Sequence, residues 1–238
     1  MKGDISTPTT DGTGRSTGAI SGARGSQRAR DHASSDEHAR ELLSELQHRV
    51  RNTLAVVRSI ARRTAEGSST VEEMISHFDG RLNAFARVQS AVARSLTGAV
   101  ELQAIIEDEL LAVATREGQQ LRIGGPAVWL RPKPAEFISL AIHELATNAV
   151  KYGALSERDG RIDVHWEPLA EELRLNWVET GLKEPPRPAY EGFGHEMLRR
   201  TLPYDLKAET NMDFTDEGLR FTMRMPLGPN VLAEQEAK

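Results

Sequence analysis

Glu144, Asn148 and Lys151 stand four and then three residues apart, which on an α-helix puts an acid, an amide and an ammonium in one row. The acid can serve as a base, the amide oxygen can join Mg²⁺, and the ammonium can meet phosphate, so the row suits a metal-phosphate station. Leu140, Ala141, Leu145 and Ala149 fall where they can face a core. Asn148 has no propensity reason to sit mid-helix, where it costs up to about 0.7 kcal/mol against Ala. Spacing alone describes a solvated helix face at least as readily. His48 is the second candidate, because a largely neutral imidazole is nucleophilic near pH 7 without strong activation. Glu45 lies about one turn before it and Asn52 one turn after. A lone helical His is more often plain surface.

These residues need helices to carry them, and the periodicity supplies several. A helix is expected from Ser34, with Glu37 completing a capping box, and with Leu43, Leu46, Val50, Leu54, Val57 and Ile60 as its packing stripe. Gly67-Ser68-Ser69 ends it, and Thr70 with Glu73 caps a second helix whose stripe is Val71, Ile75, Phe78, Leu82, Phe85, Val92 and Leu96. Two such seams make an antiparallel hairpin, and pairing with a second copy into a four-helix bundle completes their burial. Beyond Gly98 the pattern mixes. Helices are expected at 102–117, from Pro134 to Gly153, and around 195–201, and strands at 120–123, 127–130, 161–166, 172–178, 207–214 and 219–225. The class is α+β, a sandwich with helices over one sheet face.

Composition sets the outer bounds. The chain has 238 residues, enough for two modest units, and 39% hydrophobic content suits a globular protein. No apolar run approaches the roughly 20 residues that span a bilayer, and no apolar signal segment opens the chain, so neither membrane insertion nor secretion is expected. The absence of Cys fits a cytoplasmic location, and a net charge of −5 gives no general attraction for nucleic acid. The expected organisation is a disordered tail (1–33), a dimerising helical hairpin (34–97), a mixed domain of helices and strands (98–228) and a frayed end (229–238).

The stretch HELATNAVKYGALS, from His143 onward, resembles the N box of the GHKL ATPase superfamily in the form carried by H-W-E histidine kinases. Trp177-Val178-Glu179 resembles the Trp-x-Glu motif of that class, Gly181 follows it as in the first glycine box, and Gly192-Phe193-Gly194 resembles the second. His48-Arg49-Val50-Arg51-Asn52-Thr53-Leu54-Ala55 resembles the phosphoacceptor helix. The likeness runs from about Glu41 to Leu227.

The resemblance implies a two-component histidine kinase using ATP and Mg²⁺. His48 would be the phosphoacceptor, Glu45 would hold its other ring nitrogen, and Asn52 would orient a water for the reverse reaction. Glu144 would be the base, and Asn148 the Mg²⁺ residue. Lys151 and Tyr152 would lie near phosphate, and His143 would orient Glu144 or the phosphates. Glu179 would accept from the adenine amino group, with Trp177 and Gly181 beside it, while Gly192 and Gly194 would present N–H groups to phosphate. Residues 181–191 would form a lid. The implied partners are a receiver domain carrying the acceptor Asp, a second copy of the chain, and a separate sensor protein as a source of input. The sequence departs from the family at Leu182 and Lys183, where a Gly and a Pro are usual, which leaves a non-catalytic phosphotransfer or scaffold dimer as the alternative. A serine kinase of GHKL type would leave the His48 hairpin unexplained.

Overall fold

The structure is a computed structural model that describes residues 18–113, 120–183 and 192–232. The chain forms two compact units, Met1–Val56 and Val57–Lys238. Helix α1 (Gly18–Glu66) begins well before the expected Ser34. Ala19, Ala23, Arg24, Arg28, Ala29 and Arg30 are good helix formers, and lengthening a helix is far easier than nucleating one. The tail expected to be disordered is therefore helical from Gly18, while residues 1–17 lie outside the described residues. In the first unit Leu43, Leu46, Val50 and Leu54 are each more than half exposed.

In the second unit the end of α1 buries Ile60 and Thr64. Helix α2 (Val71–Arg94) starts as the Thr70–Glu73 pattern requires. Thr70 Oγ1 accepts from the Glu73 N–H at 3.1 Å, and the Glu73 carboxylate accepts from the Ser69 N–H at 2.9 Å. The face it buries, however, is Arg81, Ala84, Phe85, Val88 and Val92, leaving Val71 and Ile75 of the expected stripe exposed. That face packs against α4 (Pro132–Tyr152), so α2 belongs with the sheet unit. Helix α4 starts at Pro132, whose missing N–H and fixed φ suit a first turn, two residues before the expected start. Helix α3 (Leu102–Val113) also packs on α4. The expected continuation of α3 to residue 117 falls partly outside the described residues.

Strands β1 (Val100–Glu101) and β3 (Trp129–Leu130) form a short antiparallel pair. The main sheet contains β2 (Leu121–Gly124), β4 (Arg161–Leu169), β5 (Glu172–Thr180), β6 (Glu209–Thr215) and β7 (Gly218–Pro226), in the order β2-β4-β5-β7-β6. β2 runs parallel to β4, and the other neighbours are antiparallel. Ile162, Val164, Trp166, Leu173, Leu175, Trp177, Phe221, Met223 and Met225 fill one face, as period-two alternation demands, while Arg161, Asp163, His165, Arg220 and Arg224 lie exposed on the other. The fold is thus α+β with a one-sided sheet, as the strand pattern predicts.

Between β5 and β6 come α5 (Phe193–Glu196), a π-helical turn (Met197–Thr201) and α6 (Leu202–Leu206). The expected fraying from residue 229 does not begin there. Helix α7 (Leu227–Asn230) is docked by Asn230, whose buried side-chain N–H groups donate to Pro226 O at 2.8 Å and Leu206 O at 3.2 Å. Among the described residues no helix is long and apolar enough to cross a membrane.

The packing of α2 on α4 has a direct test. Phe85→Ala is expected to cost about 3–5 kcal/mol of stability in urea unfolding, and Ile75→Ala, on the exposed side, less than about 1 kcal/mol. Equal losses would mean that α2 is buried on the other face.

Candidate functional site

Within the second unit a cavity of about 1130 Å³ lies against α2, α4, the end of β5 and the segment that opens α5. Helix α4 lines it with Glu144, Thr147, Asn148, Lys151 and Tyr152. The row read from the sequence therefore faces a cavity, although its depth changes along the helix. Glu144 is buried, Asn148 half-buried, and Lys151 and Tyr152 exposed at the rim.

Helix α2 meets this row directly. Arg81 donates from Nε to Glu144 Oε1 at 2.7 Å and from Nη2 to Oε2 at 3.0 Å, a forked pair with both side chains about 8% exposed. Its third contact is Nη1 to Thr64 Oγ1 at 2.9 Å, and its guanidinium lies 4.1 Å over the Phe193 ring. Lys151 donates to His77 Nε2. Burial first, then the charges of Lys151 and Arg81, hold the His77 pKa below its ordinary value, which favours the neutral ring that this bond requires.

His143 borders the cavity, but its ring is engaged away from Glu144. Its Nδ1–H donates to Glu109 Oε2 at 3.2 Å, and Glu109 also accepts from Ser139 Oγ at 3.0 Å and from Arg87. Burial by itself would raise the Glu109 pKa, yet hydrogen bonds from His143 and Arg87 outweigh it and hold the carboxyl low. The orienting role expected for His143 toward Glu144 therefore has no contact behind it. Its partner is on α3 because i and i+1 on a helix point roughly 100° apart.

Glu179 continues the buried face of β5, two residues after Trp177. The Trp177 indole N–H donates to Oε1 at 3.0 Å, and the Ala154 backbone N–H donates to Oε2 at 2.8 Å. Burial raises the pKa of this carboxyl, and the two donors oppose the rise. A Cβ on Gly153 would stand 2.1 Å from Oε2, so only glycine leaves room for the carboxylate here. Trp177 itself does not line the cavity; it holds the residue that does. Gly181 also lies off the cavity wall. It adopts φ +80° against the Asp159 carbonyl, a conformation that glycine reaches without strain.

Leu182 and Lys183 both line the cavity, and Lys183 pairs there with Glu157 at 2.7 Å. Gly192 and Gly194 form the opposite wall, with the backbone at Gly194 close against Glu144. Most of the expected lid, residues 184–191, lies outside the described residues.

The His48 group belongs to the first unit. His48 is exposed, and the Asn52 side-chain N–H approaches its Nδ1 at 3.3 Å. With Nδ1 as acceptor, the neutral ring carries its proton on Nε2. Glu45 does not hold the ring as expected. It pairs with Arg49 at 2.6 Å, the longer side chain one turn on being the stronger competitor for a carboxylate.

Sequence reasoning passed over Arg81, His77, Glu109 and Thr147. Arg81 and Glu109 carried a signal, since each is a charge at a core-facing position between apolar neighbours three or four residues away. Thr147 Oγ1 is buried without a hydrogen-bond partner and lines the cavity. With the Asn148 amide oxygen it offers the kind of hard oxygen donor that Mg²⁺ takes, so these residues fit the metal that the resemblance implies.

Comparison with known proteins agrees with this geometry. The family described as HWE histidine kinase matches residues 45–127. A blue-light-activated histidine kinase of Brucella anthropi is 29% identical over 197 residues, covering 81% of this chain and 40% of that protein. Its counterpart in Brucella ovis is 30% identical over 191 residues, covering 79% and 39%. The chain thus spans about two fifths of the length of these relatives. Among solved structures, the Erythrobacter litoralis EL346 blue-light activated histidine kinase superposes with a TM-score of 0.59 at 22% identity, covering 79% of this chain and 59% of that one. The histidine kinase domain of the same protein matches with a TM-score of 0.51 at 16% identity over 73% and 94% of the two chains. Residues 45–127 of the chain match the HWE histidine kinase family, and the likeness to the blue-light-activated histidine kinases extends over 79–81% of its length.

Proposed function

We propose that this chain is the kinase core of a two-component system, which phosphorylates His48 from ATP and passes the phosphoryl group to an Asp of a response-regulator receiver domain. The observation that carries this reading is the convergence of Glu144, Asn148, Lys151 and Glu179 on one cavity large enough for a nucleotide. Glu179 accepts from the adenine amino group at the closed end. Asn148, with Thr147 beside it, is the residue for Mg²⁺, which when bound neutralises charge on the phosphates. Lys151 meets a phosphate oxygen. In the transfer, the His48 nitrogen forms a bond to the terminal phosphorus as the bond from that phosphorus to the ADP oxygen breaks. Attack needs the unprotonated ring nitrogen, so attack through Nε2 requires Nδ1 to leave Asn52 and carry the proton, which passes to Glu144 once the N–P bond has formed. Positioning and charge neutralisation supply the catalysis.

The exposed Leu43, Leu46, Val50 and Leu54 stripe supports a homodimer in which a second copy covers it. The reading places the protein in the cytoplasm, with Arg49 and Arg51 attracting an acidic receiver surface and a separate sensor protein supplying input. Domain limits at 34–97 and 98–228 follow from it as functional divisions.

Incubation with γ-labelled ATP and Mg²⁺ is the decisive test. Wild type is expected to take up acid-labile label, and His48→Ala and Asn148→Ala are expected to take up none. Acid-stable label would indicate a serine kinase. No label, with no ADP binding at millimolar concentration, would indicate the scaffold dimer.

The Trp177–Glu179 bond gives a second expectation. Glu179→Gln is expected to weaken ADP about tenfold or more, and Trp177→Phe, which loses only the donor that orients the carboxylate, about three- to tenfold in titration calorimetry. Equal ADP affinity in all three proteins would remove Glu179 from the base site.

Burial raises the folded-state pKa of Glu179, so its contribution to stability is full below the ordinary carboxylate value and is lost as pH rises through the raised one. Wild type is therefore expected to lose stability relative to Glu179→Gln as pH rises above the ordinary carboxylate range in urea unfolding. A constant difference over that rise would contradict the assignment.

A further inference from the structure

The forked Arg81–Glu144 pair raises a question about the base. Both Glu144 oxygens are committed to Arg81, so the carboxylate has to leave that partner before it can take a proton from an imidazole. Arg81 in turn is nearly surrounded: by Glu144, by Thr64 Oγ1, which itself donates to Ile60 O at 2.6 Å, and by the Phe193 ring. Separating a buried pair without replacement leaves two unpaired charges and is strongly disfavoured. Exchange for another anion avoids that cost. Arg81 lines the cavity beside Gly192 and Gly194, the wall read here as the phosphate side. One turn earlier on the same face of α2, His77 occupies Lys151 in the same way. α2 comes this close because residue 80 is glycine, where a Cβ would stand 2.9 Å from His143 Nε2.

We propose that Arg81 is a phosphate-exchange residue: in the resting site it clasps Glu144, and on ATP binding it transfers to the terminal phosphate and releases Glu144 as the base. The inference rests on the kinase reading above and adds to it a residue from the hairpin helix that touches the substrate. The exchange is isoelectric for Arg81, which keeps an anionic partner throughout, and it ties availability of the base to the presence of the phosphate that will be transferred. ADP, lacking that phosphate, leaves the clasp shut.

Competition between Glu144 and phosphate for one guanidinium makes a prediction that a purely structural salt bridge does not. Glu144→Gln removes the competitor and is expected to bind ATP about three- to tenfold more tightly than wild type, with ADP affinity unchanged, while losing His48 labelling. Arg81→Gln in the Glu144→Gln background, which leaves no buried charge unpaired, is expected to return ATP affinity to the wild-type value or below. Titration calorimetry with ATP and ADP on the full chain reads all six affinities, and circular dichroism confirms that each variant is folded. If wild type binds ATP but Glu144→Gln binds it no more tightly, or gains equally for ADP, the exchange is wrong and the kinase reading stands. Absence of ATP binding by wild type overturns both.

Discussion

A carboxylate taken out of water has to find donors in the protein, and the second unit of this chain is organised by that demand at three places. Glu109, Glu144 and Glu179 are each at most 6% exposed, and each is held by groups from elements far away in sequence. Glu109 on α3 draws in Arg87 from α2 and His143 from α4. Glu144 on α4 draws in Arg81 from α2. Glu179 on β5 draws in the backbone N–H just beyond α4. These contacts fix the spacing of three helices and the sheet, and the cavity is the volume left between them. Apolar burial supplies most of the stability, while the carboxylates determine which helix faces meet.

This division explains what could be read from the sequence. Periodicity found the sheet strands because β4, β5 and β7 bury one face and expose the other, so residues such as Trp166 and Trp177 alternate cleanly with polar neighbours. The Thr70 cap and the Gly153 stop were legible because their chemistry is local. The Glu144, Asn148 and Lys151 row was legible because one helix carries it. Resemblance, not spacing, identified His48, Trp177 and Glu179 as a set.

The remainder depended on partners that a sequence pattern does not name. The apolar stripe drawn through Val71, Ile75 and Phe78 assumed that α2 faces another hairpin helix. Phe85 and Val92 of that stripe are buried, but α4 also takes Arg81, Ala84 and Val88, while the N-terminal Val71 and Ile75 stay exposed. Glu45 was assigned to His48 because both lie one turn apart, but Arg49 is equally near and carries the charge. The resemblance implied that His143 orients Glu144 or the phosphates, and its ring N–H instead meets Glu109 on α3. For Glu45 and His143, electrostatic complementarity determined the result.

The two class-defining residues acquire a common physical meaning from this arrangement. Trp177 and His143 both donate a ring N–H to a buried glutamate, one at Glu179 and one at Glu109. A ring N–H is a donor on a rigid, largely apolar frame, so it can satisfy a carboxylate inside a core without bringing another full charge with it. An Arg at either position would compete with the ligand's own donors or bring phosphate to the wrong end of the cavity. A neutral indole beside Glu179 leaves the carboxylate's charge available to an incoming amino group, and His143 ties α4 to Glu109 on α3. Among the described residues, full cations line the cavity at Arg81, Lys151 and Lys183. Of the three buried carboxylates, Glu179 alone is held by neutral donors only, while Glu144 and Glu109 each meet an arginine.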